Sequence, residues 1–332
     1  MLAGDFCVGL AILSMAAKAL SWHDVSVHVG WGYLRGKTGV VGGSQYDTVH
    51  KLSVVCIHGW FDCCNSFDAL VPLLPKGTKV LVLDLPGHGH SDHLPLGAQY
   101  NLVVYAANVQ NAIAKLGWNR FVLMGHSMGV NVSVIFTALF PQYVRALVCL
   151  DQVAPYDTCN IFIKLKTDLL NFMEAEKNAS RPPLVFSEEE AINRLVSARF
   201  RDYYHGVHIE REAIKILLPR LVRYENGVCT WRHDRRARPT FTMFMHGKIW
   251  RELIEAITCP VLVIQATGWS GKHPKEKYEE TFNTYRKRAQ WLETETVKGG
   301  HHIHLGKPQR IAPIISRFLE KVAREKYEHA KL

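Results

Sequence analysis

Gly125-His126-Ser127-Met128-Gly129 carries the strongest chemical content in this chain. Its G-x-S-x-G pattern sets a serine between two bare positions. The apolar run Phe121-Val122-Leu123-Met124 precedes it, and Val132 to Leu139 follows with no Gly or Pro to break a helix. Strand, sharp turn and helix form the setting in which a serine hydroxyl stands above a sheet edge as a nucleophile. Such a turn is strained, and Gly125 and Gly129 supply the room that packing against Ser127 requires. The turn also aims the Met128 backbone N–H at the point where an oxyanion would form. The plain alternative is a strand-to-helix turn with a capping serine.

A serine hydroxyl needs a base to take its proton. In the chain order serine, acid, histidine, that base comes late. Gly299-Gly300-His301-His302-Ile303-His304 offers three imidazoles. The glycines let the loop approach the serine closely, so His301 is the first choice and His302 the second, with His304 orienting the loop. The acid should hold the imidazole in one tautomer. Its usual place, after the penultimate strand, is Ala266 to Lys272, which holds no carboxylate. Asp151, just past the strand after the elbow helix, is therefore the candidate, with Asp157 and Glu276 as fallbacks. The competing role for Asp151 is to brace a loop. A second oxyanion donor is expected from the backbone N–H of Trp60, or else Phe61, in His58-Gly59-Trp60-Phe61. His58, Asp84 and His88 read as structural hydrogen-bonding residues. The chemistry needs only protein groups and water, so neither a metal nor an organic cofactor is expected.

The elements that must position these groups are legible as apolar runs. Leu52–Ile57, Val80–Asp84, Phe121–Met124, Ala146–Asp151, Pro260–Gln265 and Trp291–Val297 read as strands, with earlier ones within Val25–Leu34. Gly36–Asp47 reads as a loop, Phe67–Leu74 as a helix, Val103–Leu116 as a helix stopped by Gly117, and Pro308–Val322 as a closing helix. Alternating strands and helices imply an α/β fold with a mostly parallel sheet covered on both faces. Its site gathers beyond the carboxyl ends of the strands, where His58, Ser127 and Asp151 fall. From about Pro155 to Ile257 the alternation stops, and helical periodicity without a convincing strand predicts a helical insertion. The expected divisions are an apolar segment 1–19, a first core part 20–154, a helical cap 155–257 and a second core part 258–332.

The chain has 332 residues, 48% of them hydrophobic, enough for one large globular unit with an insertion. Its net charge is +10, with a basic run at Arg232–Arg238. No nucleic-acid motif accompanies that run, so it is read as a solvated face, which leaves an acidic partner or a membrane surface open. Eight cysteines lack any CxxC pair, and several sit in apolar runs, which favours a reducing compartment. Phe6–Ala17 is apolar but lacks a basic flank, so a signal peptide, a weak anchor and a buried segment all stay open. No stretch has the length of a confident transmembrane helix. Ala330-Lys331-Leu332 is a near variant of a peroxisomal address, so peroxisome, cytoplasm and vesicle membranes remain the expected locations.

These residues together resemble the α/β-hydrolase superfamily, over about Leu52–Asp151 and Cys259–Val322. The resemblance rests on His58-Gly59-Trp60, the Asp84–Ser91 loop, Gly125–Gly129, and Gly300-His301 with Pro308 seven residues on, a spacing that favours His301 over His302. More narrowly, His58-Gly59-Trp60-Phe61-Asp62, Trp118-Asn119-Arg120-Phe121 and Gly299–His304 are similar to the serine hydrolase-like (kraken-type) group, as is the missing acid after Gln265. Val130-Asn131 departs from a pattern in which many relatives carry a small residue. The resemblance implies an α/β-hydrolase fold and a serine hydrolase of undefined natural substrate. The leading expectation is hydrolysis of an apolar carboxylic ester or thioester by Ser127, His301 and Asp151. The cap would cover the acyl group, with Ile161, Phe162, Leu165, Leu169 and Phe172 as pocket or core residues. Epoxide hydrolases and dehalogenases need a carboxylate nucleophile, so Ser127 argues against both. A non-catalytic binding protein or receptor on the same fold is the alternative.

Overall fold

The computed structural model describes residues 20–43, 52–153, 161–200, 209–238, 247–268 and 275–325. Phe6–Ala17, Asp157 and Ala330-Lys331-Leu332 lie outside them. Ten strands are described: β1 His23–His28, β2 Tyr33–Val40, β3 Leu52–Ile57, β4 Thr78–Leu83, β5 Phe121–His126, β6 Val144–Leu150, β7 Val222–Glu225, β8 Val228–Trp231, β9 Val261–Ala266 and β10 Leu292–Val297. Eight form one sheet in the order β1-β2-β4-β3-β5-β6-β9-β10. β2 runs antiparallel to β1 and β4, and the strands from β4 onward are parallel to their neighbours.

The interior strands are apolar on both faces because both faces are covered. Val55 and Ile57 of β3 point into one core, and Val54 and Cys56 into the other. The first core is closed by helices α1 Leu102–Lys115 and α2 Met128–Leu139. Asn101 caps α1 by accepting the Val104 N–H at 2.9 Å, and Gly117 ends it at φ +66°.

Two expectations are corrected here. Gly36–Val40 belongs to β2 and not to a loop. A Cβ on Gly36 would come within 2.2 Å of the Val82 carbonyl oxygen, so this glycine permits close strand approach. Residues Phe67–Leu74 form no α-helix. Pro72 cannot donate to an earlier carbonyl, and the chain instead makes 3-10 turns at Cys64–Phe67 and Val71–Leu73.

Helices α3 Ile161–Lys177, α4 Glu188–Phe200 and α5 Arg211–Leu221 follow β6. The expectation of no strand in this interval is also corrected, because β7 and β8 pair there as a hairpin. Asn226 and Gly227 occupy its turn at φ +50° and +79°, a combination that Asn-Gly tolerates. Buried residues of α4, α5 and the hairpin form a separate core with Cys63 and Ala69 of the loop after β3 and with Leu305. Helix α6 Gly247–Glu255 behaves differently, since Trp250 and Ile254 pack into the main core beside Phe282 of α7 Lys275–Arg288. The short helix α8 Ile303–Gly306 and the closing helix α9 Ala312–Arg324 complete the chain. Ile315, Phe318, Leu319 and Val322 of α9 line the second core at helical spacing. Among the described residues no helix is long and apolar enough to cross a membrane.

Two buried charge networks fasten the 209–238 segment to the sheet. Arg220 of α5 donates from Nε to Asp84 Oδ2 at 2.9 Å. Asp84 also accepts the Cys64 N–H at 2.7 Å and the His90 N–H at 2.9 Å. Burial alone would raise the Asp84 carboxyl, but Arg220 and these N–H groups hold it below the usual carboxylate range. The basic run is likewise not a plain solvated face. Arg236 is buried, donates to Asp234 Oδ2 at 2.7 Å and reaches the Leu94 and Pro95 carbonyls. Tyr100 donates its hydroxyl to the same Asp234 oxygen at 2.7 Å.

Arg220→Ala would strand a buried carboxylate, and a loss of about 3–5 kcal/mol in denaturant-unfolding stability is expected. Because the folded Asp84 pKa is lowered, its contribution is full above the unfolded value of about 3.9 and lost as pH falls toward the folded value. The variant should therefore show a flatter loss of stability between about pH 5 and 3 than the wild type. Identical curves would contradict this role.

Candidate active site

The β5-to-α2 turn holds Ser127 at φ +51° and ψ −119°. That is a costly backbone for a residue with a Cβ, and the surroundings impose it. The Ser127 N–H donates to the Leu150 carbonyl at 3.1 Å. A Cβ on Gly129 would come within 2.1 Å of the Ile57 carbonyl oxygen, and one on Gly125 within 2.5 Å of Gly129. Bare positions on both sides let α2 begin directly against β3. Met128 is the first residue of α2, so its N–H has no acceptor one turn earlier in the helix. Gly59 lies against the same turn, with a Cβ position 3.3 Å from Ser127 Cβ. Trp60 follows Gly59, and its indole donates to the Ala237 carbonyl at 3.1 Å. Phe61 sits at φ +51° and packs against His233 with the rings tilted and 4.3 Å between centroids. Val130 enters the main core, and Asn131 turns its oxygen toward the Gln152 amide at 3.5 Å.

The far end of the chain meets this turn. His301 Nε2 lies 2.9 Å from Ser127 Oγ, and His301 Nδ1 lies 2.7 Å from Asp151 Oδ2. A carboxylate only accepts, so Nδ1 carries the proton and Nε2 presents its lone pair to the serine hydroxyl. Asp151 is fully buried, with its backbone at φ +53°. Its N–H donates to the Ile264 carbonyl at 2.7 Å, and its Oδ1 accepts the Ala266 N–H at 2.6 Å. The carboxylate thus bridges the carboxyl ends of β6 and β9. Burial raises the Asp151 carboxyl above its usual value, while His301 and the Ala266 N–H pull it back.

The remaining candidates take other places. His302 turns Nε2 toward Asp62 Oδ2 at 3.9 Å. His304 is buried, with its ring 4.0 Å from His126 and 5.1 Å from Phe67. Glu276 lies on α7. His58 accepts the Leu85 N–H at Nε2, 3.0 Å away, and donates from Nδ1 to the Gly59 carbonyl at 2.7 Å. His88 donates to the Pro86 carbonyl at 3.0 Å, and burial beside His58 lowers its pKa to about 3. His88 therefore braces its loop as a neutral ring, and His58 braces its own through those two hydrogen bonds. On α3, Phe172 is buried, whereas Phe162, Leu165 and Leu169 reach the surface. Sequence reasoning passed over His126. It is fully buried, and its Nε2 donates to the His301 carbonyl at 2.9 Å, joining the elbow to the histidine loop. Its place inside the G-x-S-x-G pattern and the histidine-rich loop were the available signals.

A serine hydrolase-like protein from Danio rerio is 30% identical over 304 residues, 88% of this chain and 86% of the relative. This chain belongs to the serine hydrolase-like group of the α/β-hydrolase superfamily. Residues 53–185 match the family described as alpha/beta hydrolase fold. Serine hydrolase-like protein 2 of Homo sapiens is 28% identical, over 90% of this chain and 94% of its own. The crystal structure of a hypothetical protein from Pseudomonas aeruginosa PAO1 superposes with a TM-score of 0.71 at 29% identity, over 91% of this chain and 99% of that one. A thioesterase domain from the curacin biosynthetic pathway has the same fold, with a TM-score of 0.71 at 20% identity over 89% of this chain and 99% of that one. Membership in this group makes the chain a hydrolase.

Gly129→Ala would drive a methyl into the Ile57 carbonyl and force α2 away from β3. A destabilisation of about 1–3 kcal/mol is expected, together with slower reaction of Ser127. Urea unfolding and serine labelling read the two effects, and wild-type behaviour in both would refute the close-packing account.

Proposed function

We propose that this serine hydrolase-like protein cleaves a carboxylic ester or thioester through an acyl-enzyme on Ser127. The observation that carries this reading is the continuous chain Ser127 Oγ, His301, Asp151, with links of 2.9 and 2.7 Å. His301 Nε2 takes the hydroxyl proton as Oγ bonds to the substrate carbonyl carbon. The carbonyl electron pair moves to oxygen, where the N–H groups of Met128 and Trp60 hold the oxyanion. The α2 dipole favours the same negative charge. Collapse breaks the bond to the alkoxide or thiolate, which leaves with the proton from His301. Water then attacks the acyl-enzyme, His301 takes its proton, and the carboxylic acid departs with Ser127 restored. Asp151 stays ionised throughout and keeps the Nδ1 proton directed toward itself.

An apolar acyl group is supported by the cap, where Phe162, Leu169, Leu170 and Met173 of α3 are exposed. Family membership and the neighbouring thioesterase fold agree with acyl transfer. A fluorophosphonate probe should label the wild type and fail on Ser127→Ala. Asp151→Asn should remain folded and lose about 10³–10⁴-fold in kcat on the best substrate of an ester and thioester series of graded chain length. Unlabelled, folded wild-type protein would overturn the reading, and near-normal turnover in Asp151→Asn would remove the acid from the scheme.

A further inference from the structure

A second constellation stands behind the serine turn. The ligand-capable atoms of Asp62, His126 and His302 all lie within 4.8 Å of one another. Asp62 and His126 are buried, and His302 is partly exposed. Asp62 comes from the loop after β3, His126 from the end of β5 and His302 from the loop before α8, so three separate elements converge.

The tautomer of His126 gives this cluster its chemical sense. The His301 carbonyl can only accept, so His126 Nε2, 2.9 Å from it, must carry a hydrogen. An imidazole with one ring proton leaves its other nitrogen as an acceptor. Nδ1 is therefore a bare lone pair. It is buried and has no hydrogen-bond partner among the described residues. A buried acceptor left in this state is costly unless something else fills the role. Gly59 keeps the approach to that atom open, since a Cβ there would lie 3.0 Å from Nδ1. An imidazole with one nitrogen donating to a backbone carbonyl, set beside a carboxylate and a second imidazole within ligand distance, has the arrangement of a metal ligand with its outer-shell support.

We propose that Asp62, His126 and His302 form a binding site for a divalent transition metal ion of the zinc class, and that its occupation restrains His301. Two imidazoles and one carboxylate suit Zn²⁺, with water as the fourth ligand, whereas Mg²⁺ and Ca²⁺ ask for six or more oxygens. Tetrahedral bonds of about 2.0–2.1 Å place donors about 3.3 Å apart. Asp62 Oδ2 and His302 Nε2 stand 3.9 Å apart, so binding draws the His302 ring toward Asp62. His302 is the next residue after His301, and His126 holds the His301 carbonyl. The ion therefore pulls on the proposed base through its own backbone from two directions. The reaction itself needs no metal, and displacements of this size are poorly tolerated between reacting groups. The expected outcome is reversible inhibition. That consequence rests on the proposed hydrolysis, while the ion site does not.

The test uses the full chain stripped with a chelator and titrated with Zn²⁺ by calorimetry. One ion per chain is expected, with affinity at least tenfold weaker in His302→Gln, a variant whose thermal melt shows it folded. Co²⁺ in place of Zn²⁺ should give visible absorption bands of tetrahedral strength in the wild type and lose them in the variant. Zn²⁺ should also slow fluorophosphonate labelling of Ser127, with recovery on chelation and no effect in His302→Gln. No stoichiometric binding, or equal binding in the folded variant, overturns the site. Binding with unchanged labelling overturns the restraint on His301. Calorimetry reports on the ion and metal-free labelling on the serine, so failure of the site is distinct from failure of the hydrolysis reading.

Discussion

The contact between the start of α2 and the end of β3 governs the rest of this molecule. Gly129 rests on the Ile57 carbonyl at a spacing no other residue could match. That closeness turns the backbone at Ser127 through a left-handed conformation, which the chain adopts only because the sheet and helix on either side are already fixed. The same contact sets the first N–H of the helix beside the hydroxyl and brings Gly59 alongside. Strain, dipole and access thus share one geometric origin.

Two loops are held to this turn by different means. Asp151 is fixed by backbone hydrogen bonds across β6 and β9, so its carboxylate inherits the stiffness of the sheet. His301 is fixed by side chains, through the His126 hydrogen bond to its carbonyl and the Asp151 contact to its ring. The acid can therefore sit on the strand before the expected one. Its Oδ1 accepts the N–H of Ala266, at the end of the strand that would ordinarily carry the acid, and so occupies that neighbourhood from next door.

Much of this was legible in the sequence, because apolar strand runs, glycine pairs and late histidines each obey a local rule. Strand positions followed from buried β-rich runs, Ser127 and Asp151 were chosen for their places past strand ends, and His301 for its late position behind a glycine pair. The misreadings arose where long-range packing overrode local signals. Gly36 and Gly39 resemble loop residues until another strand lies against them. Arg236 looks like a surface charge until Asp234 and two carbonyls enclose it. Phe67–Leu74 has helical apolar spacing, yet Pro72 prevents the ladder. The 222–231 hairpin was a different failure, since Asn226-Gly227 advertised it locally and the surrounding helical pattern drew attention away. His126 stood inside the G-x-S-x-G pattern, but its role was hidden because its partner lies 175 residues downstream.

The Arg220–Asp84 pair sets α5 apart from α3. Helix α5 cannot rise from the sheet without exposing an ion pair's missing half to a dry interior, whereas α3 presents apolar side chains to water and is tied at its end by Glu176, which accepts the Gly97 N–H and lies 3.6 Å from Arg236. The two helices therefore differ in what holds them, α5 by a buried ion pair and α3 by contacts nearer the surface.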